Sequence, residues 1–127
     1  MDGVVVTDVT DPDDARLDSF RDLNSIDRRP DLPSGKGPVI AEGVLVVQRM
    51  LASPFTPLAF LGTDRRLAEL KADLAGNPAP FYRVSAEVMA EVVGFHLNRG
   101  VLAAARREPE RSLAQVIDGA RTVVVLE

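Results

Sequence analysis

The sequence predicts a three-layer α/β/α domain with a mixed, mostly parallel sheet of about four strands. Short apolar runs alternate three times with stretches of helical periodicity after residue 38, no internal repeat is visible, and 127 residues suit one domain. Such an order puts helices on both faces of a sheet, so its strands read as nearly unbroken apolar runs.

In "DPDDARLDSFRDL", Asp11 suits an N-cap, Pro12 suits the first helical position, and Asp13 and Asp14 place negative charge at the positive end of the helix dipole. A helix over residues 12–23 is predicted. The next stretch, "NSIDRRPDLPSGKGP", lacks periodicity and carries three prolines and two glycines, so it is a loop, basic at Arg28, Arg29 and Lys36. A strand at 39–41 then passes through Glu42 and Gly43 into a helix with Val44, Val47 and Leu51 on one stripe and Met50 beside them.

A strand at 58–61 comes next. The helix after it carries Leu67, Leu70 and Leu74 on one side and ends before a Gly-Asn-Pro turn at 76–78. A strand at 81–84, a helix capped by Ser85 with Val88, Met89, Val92 and Val93 inward, and a strand at 101–105 complete the alternation. Beyond it the chain turns polar in "RREPERS". Ser112 then caps a short helix over 113–117, which leads into "RTVVVLE", a β-branched run of the kind buried on both faces of a sheet.

Composition narrows the function. The absence of cysteine excludes disulfides, thiolate zinc sites and cysteine nucleophiles. No apolar run approaches the roughly 20 residues of a membrane helix, and the first ten residues lack a basic signal-peptide start, so a soluble cytoplasmic protein without a membrane partner is expected. The net charge of −4 is uneven: residues 1–31 hold nine Asp against four Arg, whereas the remainder holds ten acids against eleven bases. With five Phe and a single Tyr, a base-stacking platform is not expected, and any nucleic-acid contact must rest on arginine and shape.

Few residues can carry chemistry. His96 is the only histidine and no G-x-S-x-G pattern accompanies it, so a catalytic triad is not expected. "SGKGP" lacks the spacing of a phosphate-binding loop, and Pro38 removes a donor such a loop uses. "GFHLNRG" reads in two ways. Structurally, Gly94 ends a helix in the left-handed conformation, Phe95 packs inward and Arg99-Gly100 turns into the next strand. Functionally, His96, Asn98 and Arg99 offer imidazole, amide and guanidinium donors to a phosphate or a base edge. Arg28, Arg29 and Lys36 are either a second basic contact or charges that offset nearby aspartates. Glu42 reads more readily as a carboxylate holding the first N–H groups of the following helix than as a general base.

Taken in order, "DPDDARLDSFRDL", "RR", "VIAEGVLVVQRML", "VSAEVM", "GFHLNRGVLAAA" and "VVVLE" resemble the N-terminal half of an RNA 2′-O-ribose methyltransferase of the SpoU/TrmH family, within the SPOUT superfamily. The resemblance covers the chain from about residue 9 onward. It implies a fold similar to kink-turn RNA-binding ribosomal proteins and a role in selecting and holding RNA. Glu42 and Gly43 match the family's "EG" junction, Gly94, His96 and Gly100 match its Gly…His…Gly loop, and Arg28 and Arg29 match its basic residues before that junction. Asn98 and Arg99 stand where the family commonly has His-Gln, and Val39 stands in place of Phe, departures that leave the RNA target open.

The resemblance further implies an RNA-binding domain over residues 1–105, a linker over 106–121, and at 122–127 the first strand of a catalytic domain absent from this chain. The catalytic residues, the glycine-rich motifs and the S-adenosylmethionine cofactor would belong to that absent part, so the chain alone is expected to be inactive and to hold no cofactor. RNA is the implied partner, ribosomal RNA ahead of tRNA. The longer enzyme is expected to be a homodimer and this chain a monomer. Two other readings of the residues stay open: a free-standing RNA-binding protein of the same fold, and a protein-interaction module suited to the acidic N-terminal segment.

Overall fold

A computed structural model describes residues 3–25 and 37–126. Five strands, β1 (Val6–Asp8), β2 (Val39–Glu42), β3 (Pro57–Gly62), β4 (Phe81–Arg83) and β5 (Val101–Ala105), form one mixed sheet in the order β1-β4-β3-β5-β2. β1, β4 and β3 are mutually parallel, while β5 runs antiparallel to both β3 and β2. The helices are α1 (Val44–Leu51), α2 (Asp64–Leu74), α3 (Ala86–Val93) and α4 (Leu113–Ile117), with a 3-10 helix at Ala15–Phe20.

The interior strand β5, between β3 and β2, is buried along its whole length. Its side chains alternate between two cores, as a period of two requires. Leu102 and Ala104 join Leu17 and Phe20 of the 3-10 helix with Met89, Val92 and Val93 of α3. Val101, Ala103 and Ala105 join Val47 and Met50 of α1 with Leu67, Leu70 and Leu74 of α2. The α/β/α layering expected from the sequence is therefore observed. In the second core Phe60 and Phe81 are register partners whose rings stack 6.4 Å apart at 17°.

One expectation is extended and one needs correction. The sheet has five strands, because Val6–Asp8 adds a short edge strand whose register partners are Phe81, Tyr82 and Arg83. The N-terminal helix is not an α-helix over 12–23. It is the six-residue 3-10 helix, started by Asp14, whose carboxylate accepts the Arg16 N–H, and stopped at Arg21, where the backbone becomes extended. The Arg21 guanidinium donates to the carbonyls of Pro12 (2.8 Å) and Asp14 (3.2 Å), tying the end of the helix back to its start. Asp11 caps nothing helical; its side chain accepts from Asp13 N–H in a local turn.

The short helix after the polar stretch forms as expected, with Ser112 and Gln115 in a reciprocal capping box. It buries no side chain: Leu113, Val116 and Ile117 are 40–74% exposed, and Val123 to Leu126 are exposed and in no strand. Among the described residues no helix is long and apolar enough to cross a membrane.

Candidate nucleic-acid interface

β1, β2, β3 and β4 share one direction, so Asp8, Glu42, Gly62 and Arg83 end their strands along the edge where Val101 begins β5. Open α/β sheets bind ligands outside the carboxyl ends of their strands. At this edge β2 passes into α1 through Gly43, whose φ of 92° lies in a region that residues with a Cβ avoid. Its N–H donates to the carbonyl of Val101 at 2.9 Å, fastening the start of α1 to the start of β5.

Arg99 lies over that glycine. A Cβ on Gly43 would stand 3.0 Å from Arg99 Cδ and 3.5 Å from Nη1. The side chain is thus laid across bare backbone at the N-terminus of α1, exposed to solvent and in no ion pair with a described residue. α1 has neither a side-chain cap nor an acidic residue in its first turn. By contrast Asp14 caps the 3-10 helix, Asp64 stands in the first turn of α2, and Ser85 caps α3 through the N–H of Val88. Arg99 and the positive end of the α1 dipole therefore share one place without a bonded counter-ion, an arrangement that favours an incoming anion.

The rest of the loop is built as the structural reading of its sequence expects. Gly94 caps α3 in the left-handed conformation at φ 94°, Phe95 packs against the first core, and Leu97 is buried. His96, Asn98 and Arg99 all face solvent, so one anchored loop presents the three predicted contacts. Arg28, Arg29 and Lys36 lie outside the described residues. Glu42 corrects its structural reading: it ends β2 opposite Leu102, is exposed, and accepts no hydrogen bond from the start of α1.

The arginines of the edge that sequence reading missed are Arg66 and Arg83. Arg83 donates from Nε and Nη2 to both carboxylate oxygens of Asp8 (2.6 and 2.9 Å) and from Nη1 to Asp64 (3.0 Å). The hydrogen bonds donated by Arg83 lower the pKa of Asp8, and those it gives to Asp8, ahead of the one to Asp64, raise its own. Arg83 is thereby a clamp between β1, β4 and α2 rather than an open contact. The adjacent pair Arg65-Arg66 at the start of α2 was the one visible signal in the sequence. No group of three or more His, Cys, Asp and Glu that could hold a metal ion occurs among the described residues.

No protein-family model matches the chain. Over 126 residues it is 79% identical to proteins of Mycobacterium bovis and Mycobacterium tuberculosis, each named an uncharacterized tRNA/rRNA methyltransferase. The match takes in 99% of this chain and 44% of each relative, so the chain spans less than half the length of these curated relatives. Its fold is similar to that of an rRNA methyltransferase from Sinorhizobium meliloti, with a TM-score of 0.60 at 14% identity, over 83% of this chain and 38% of that one. The chain is thus a homologue of part of proteins named as RNA methyltransferases, with an α/β fold also found in an rRNA methyltransferase.

Proposed function

We propose that the chain is the RNA-binding domain of an S-adenosylmethionine-dependent RNA 2′-O-ribose methyltransferase of the SpoU/TrmH type, holding RNA for a catalytic domain elsewhere in a longer protein. The observation that carries this reading is Arg99, in no ion pair with a described residue and laid over Gly43 at the uncapped start of α1, in a loop that also presents His96 and Asn98. The names of the relatives support RNA as the partner and methyl transfer as the activity of the whole. Within that class, ribosomal RNA is the preferred substrate.

One cavity at the edge of the sheet has a lining that offers little to S-adenosylmethionine. This cavity of about 300 Å³ between β1 and α2 is lined by aliphatic side chains with Asp64, Lys71 and Arg83, and Arg83 already engages Asp64. No aromatic side chain lines it to receive an adenine ring. In this reading the cofactor is held by the other domain. Residues 1–105 form the RNA-binding unit, 106–121 the linker and 122–127 the first strand of that second domain, a division supported by the failure of α4 and of Val123 to Leu126 to bury anything against the sheet. The longer enzyme works as a homodimer, in the cytoplasm, and this chain alone is an inactive monomer.

The test is transfer of tritiated methyl from S-adenosylmethionine to ribosomal RNA and to tRNA by the full-length protein, alongside this chain. Label at a ribose 2′-oxygen with the long protein and none with the chain is the expected result. Label on a base, or no RNA labelled by the full-length protein, would refute the reading.

A further inference from the structure

The RNA edge holds a second arginine set across backbone in the manner of Arg99. A Cβ on Gly100 would stand 3.1 Å from Arg66 Cγ and 3.3 Å from Arg66 Nε, with the Thr63 hydroxyl oxygen at 3.6 Å. Gly100 is the residue after Arg99, and its carbonyl accepts the Thr63 N–H at 3.2 Å. The two side chains therefore flank the first residue of β5: Arg99 on the side of β2 and α1, Arg66 on the side of β3 and α2.

Arg66 is held where it is. Glu69, one turn further along α2, accepts from Nη1 at 2.7 Å, and this contact leaves Nε and Nη2 for another partner. Thr63 caps nothing, since its side chain makes no hydrogen bond to the start of α2. The acids of this edge include Asp64, which Arg83 engages, and Glu69, which Arg66 and Arg65 share, while Glu42 is bonded to neither. A half-buried guanidinium fixed at one nitrogen, beside an uncommitted hydroxyl, suits a phosphate oxygen better than a base edge, because phosphate accepts from any direction while a base must be met in its plane.

We infer that Arg66, with the Thr63 hydroxyl, binds a backbone phosphate of the RNA next to the one met by Arg99, and so sets the position of the strand without reading its sequence. The inference rests on the RNA-binding reading above. Its contribution is electrostatic and shared by all sequences.

The experiment is fluorescence anisotropy of the 127-residue chain with two labelled RNA hairpins of different loop sequence, over a salt series, for the wild type, Arg66→Ala and Arg66→Lys. Arg66→Ala is expected to weaken both hairpins alike, on the order of fivefold, and to lower the salt slope by about 1, with Arg66→Lys close to wild type in slope. Should Arg66→Ala melt early, Arg66→Gln takes its place. Wild-type binding with an unchanged Arg66→Ala slope would overturn the inference and leave the RNA reading standing. Weakening confined to one hairpin would overturn it in favour of a base contact. No binding by the wild-type chain would sink the RNA reading, and the inference with it.

Discussion

Arg99 lies across Gly43 so closely that a methyl group on the glycine would stand 3.0 Å from Arg99 Cδ. The contact joins residues that sequence reading had treated apart, the "EG" junction and the loop before β5. It places a cation at the start of the one helix of at least eight residues, among the described residues, that has neither a side-chain cap nor an acidic first turn. Replacing Arg99 by Ala is expected to weaken hairpin RNA binding several-fold while leaving the melting temperature unchanged, since the side chain is exposed. Glu42→Gln should act in the opposite sense, because it removes from the same edge a carboxylate bonded to no described residue. Anisotropy titrations at constant salt check both.

Gly43→Ala is expected to destabilise the domain by about 1–2 kcal/mol, because a φ of 92° brings a Cβ against the backbone. It should also weaken RNA binding by displacing Arg99. Urea unfolding of the variant, read beside its RNA affinity, separates the two effects.

Gly62 is needed for a different reason, since its φ is ordinary. A Cβ there would stand 2.7 Å from Phe81 Cζ and 3.1 Å from Val101 Cγ2, inside the packed core between β3, β4 and β5. Gly62→Ala should overpack this region and lower stability by about 1–3 kcal/mol, measured by the same urea titration.

Acid should loosen the N-terminal part first. Hydrogen bonds from the Arg16 side chain, then its backbone N–H, hold the Asp14 carboxyl at about 2, and those from Arg83 lower that of Asp8. Both groups have folded pKa values below their unfolded ones. Their stabilisation is present above the ordinary value of 3.8 and is lost as pH falls from there toward about 2. Amide exchange of the 3-10 helix and β1 should accelerate over that window, and Asp14→Asn should remove the pH dependence at the helix.

Residues 113–126 are exposed throughout and bury no side chain against the domain. A chain ending at residue 112 should therefore unfold within about 0.5 kcal/mol of the full chain. A larger loss would mean that this segment packs on the sheet and is not reserved for another domain.

The parts of the fold legible in the sequence are those whose burial leaves a periodic trace. β5 showed as an unbroken apolar run because both its faces are covered, and α2 showed through Leu67, Leu70 and Leu74. β1 left no such trace: it is three residues long, at the sheet edge, and ends on Asp8. The N-terminal helix carried the start signals of an α-helix, but Arg21 folds back on Pro12 and Asp14 and stops it after six residues. At the interface, Arg99 was legible from its loop. Arg66 was not, because its place over Gly100 is a tertiary contact between segments far apart in sequence.

RNA is expected to meet this domain where Arg99 covers the start of α1, and this contact underlies the whole proposed function. It is tested most directly by following the backbone amide resonances of the isotope-labelled chain as a hairpin RNA is added. The largest changes should fall at residues 43–46 and 96–100, and Arg99→Ala should diminish them. Changes gathered instead in α4 and residues 122–126, or none at saturating RNA, would contradict it.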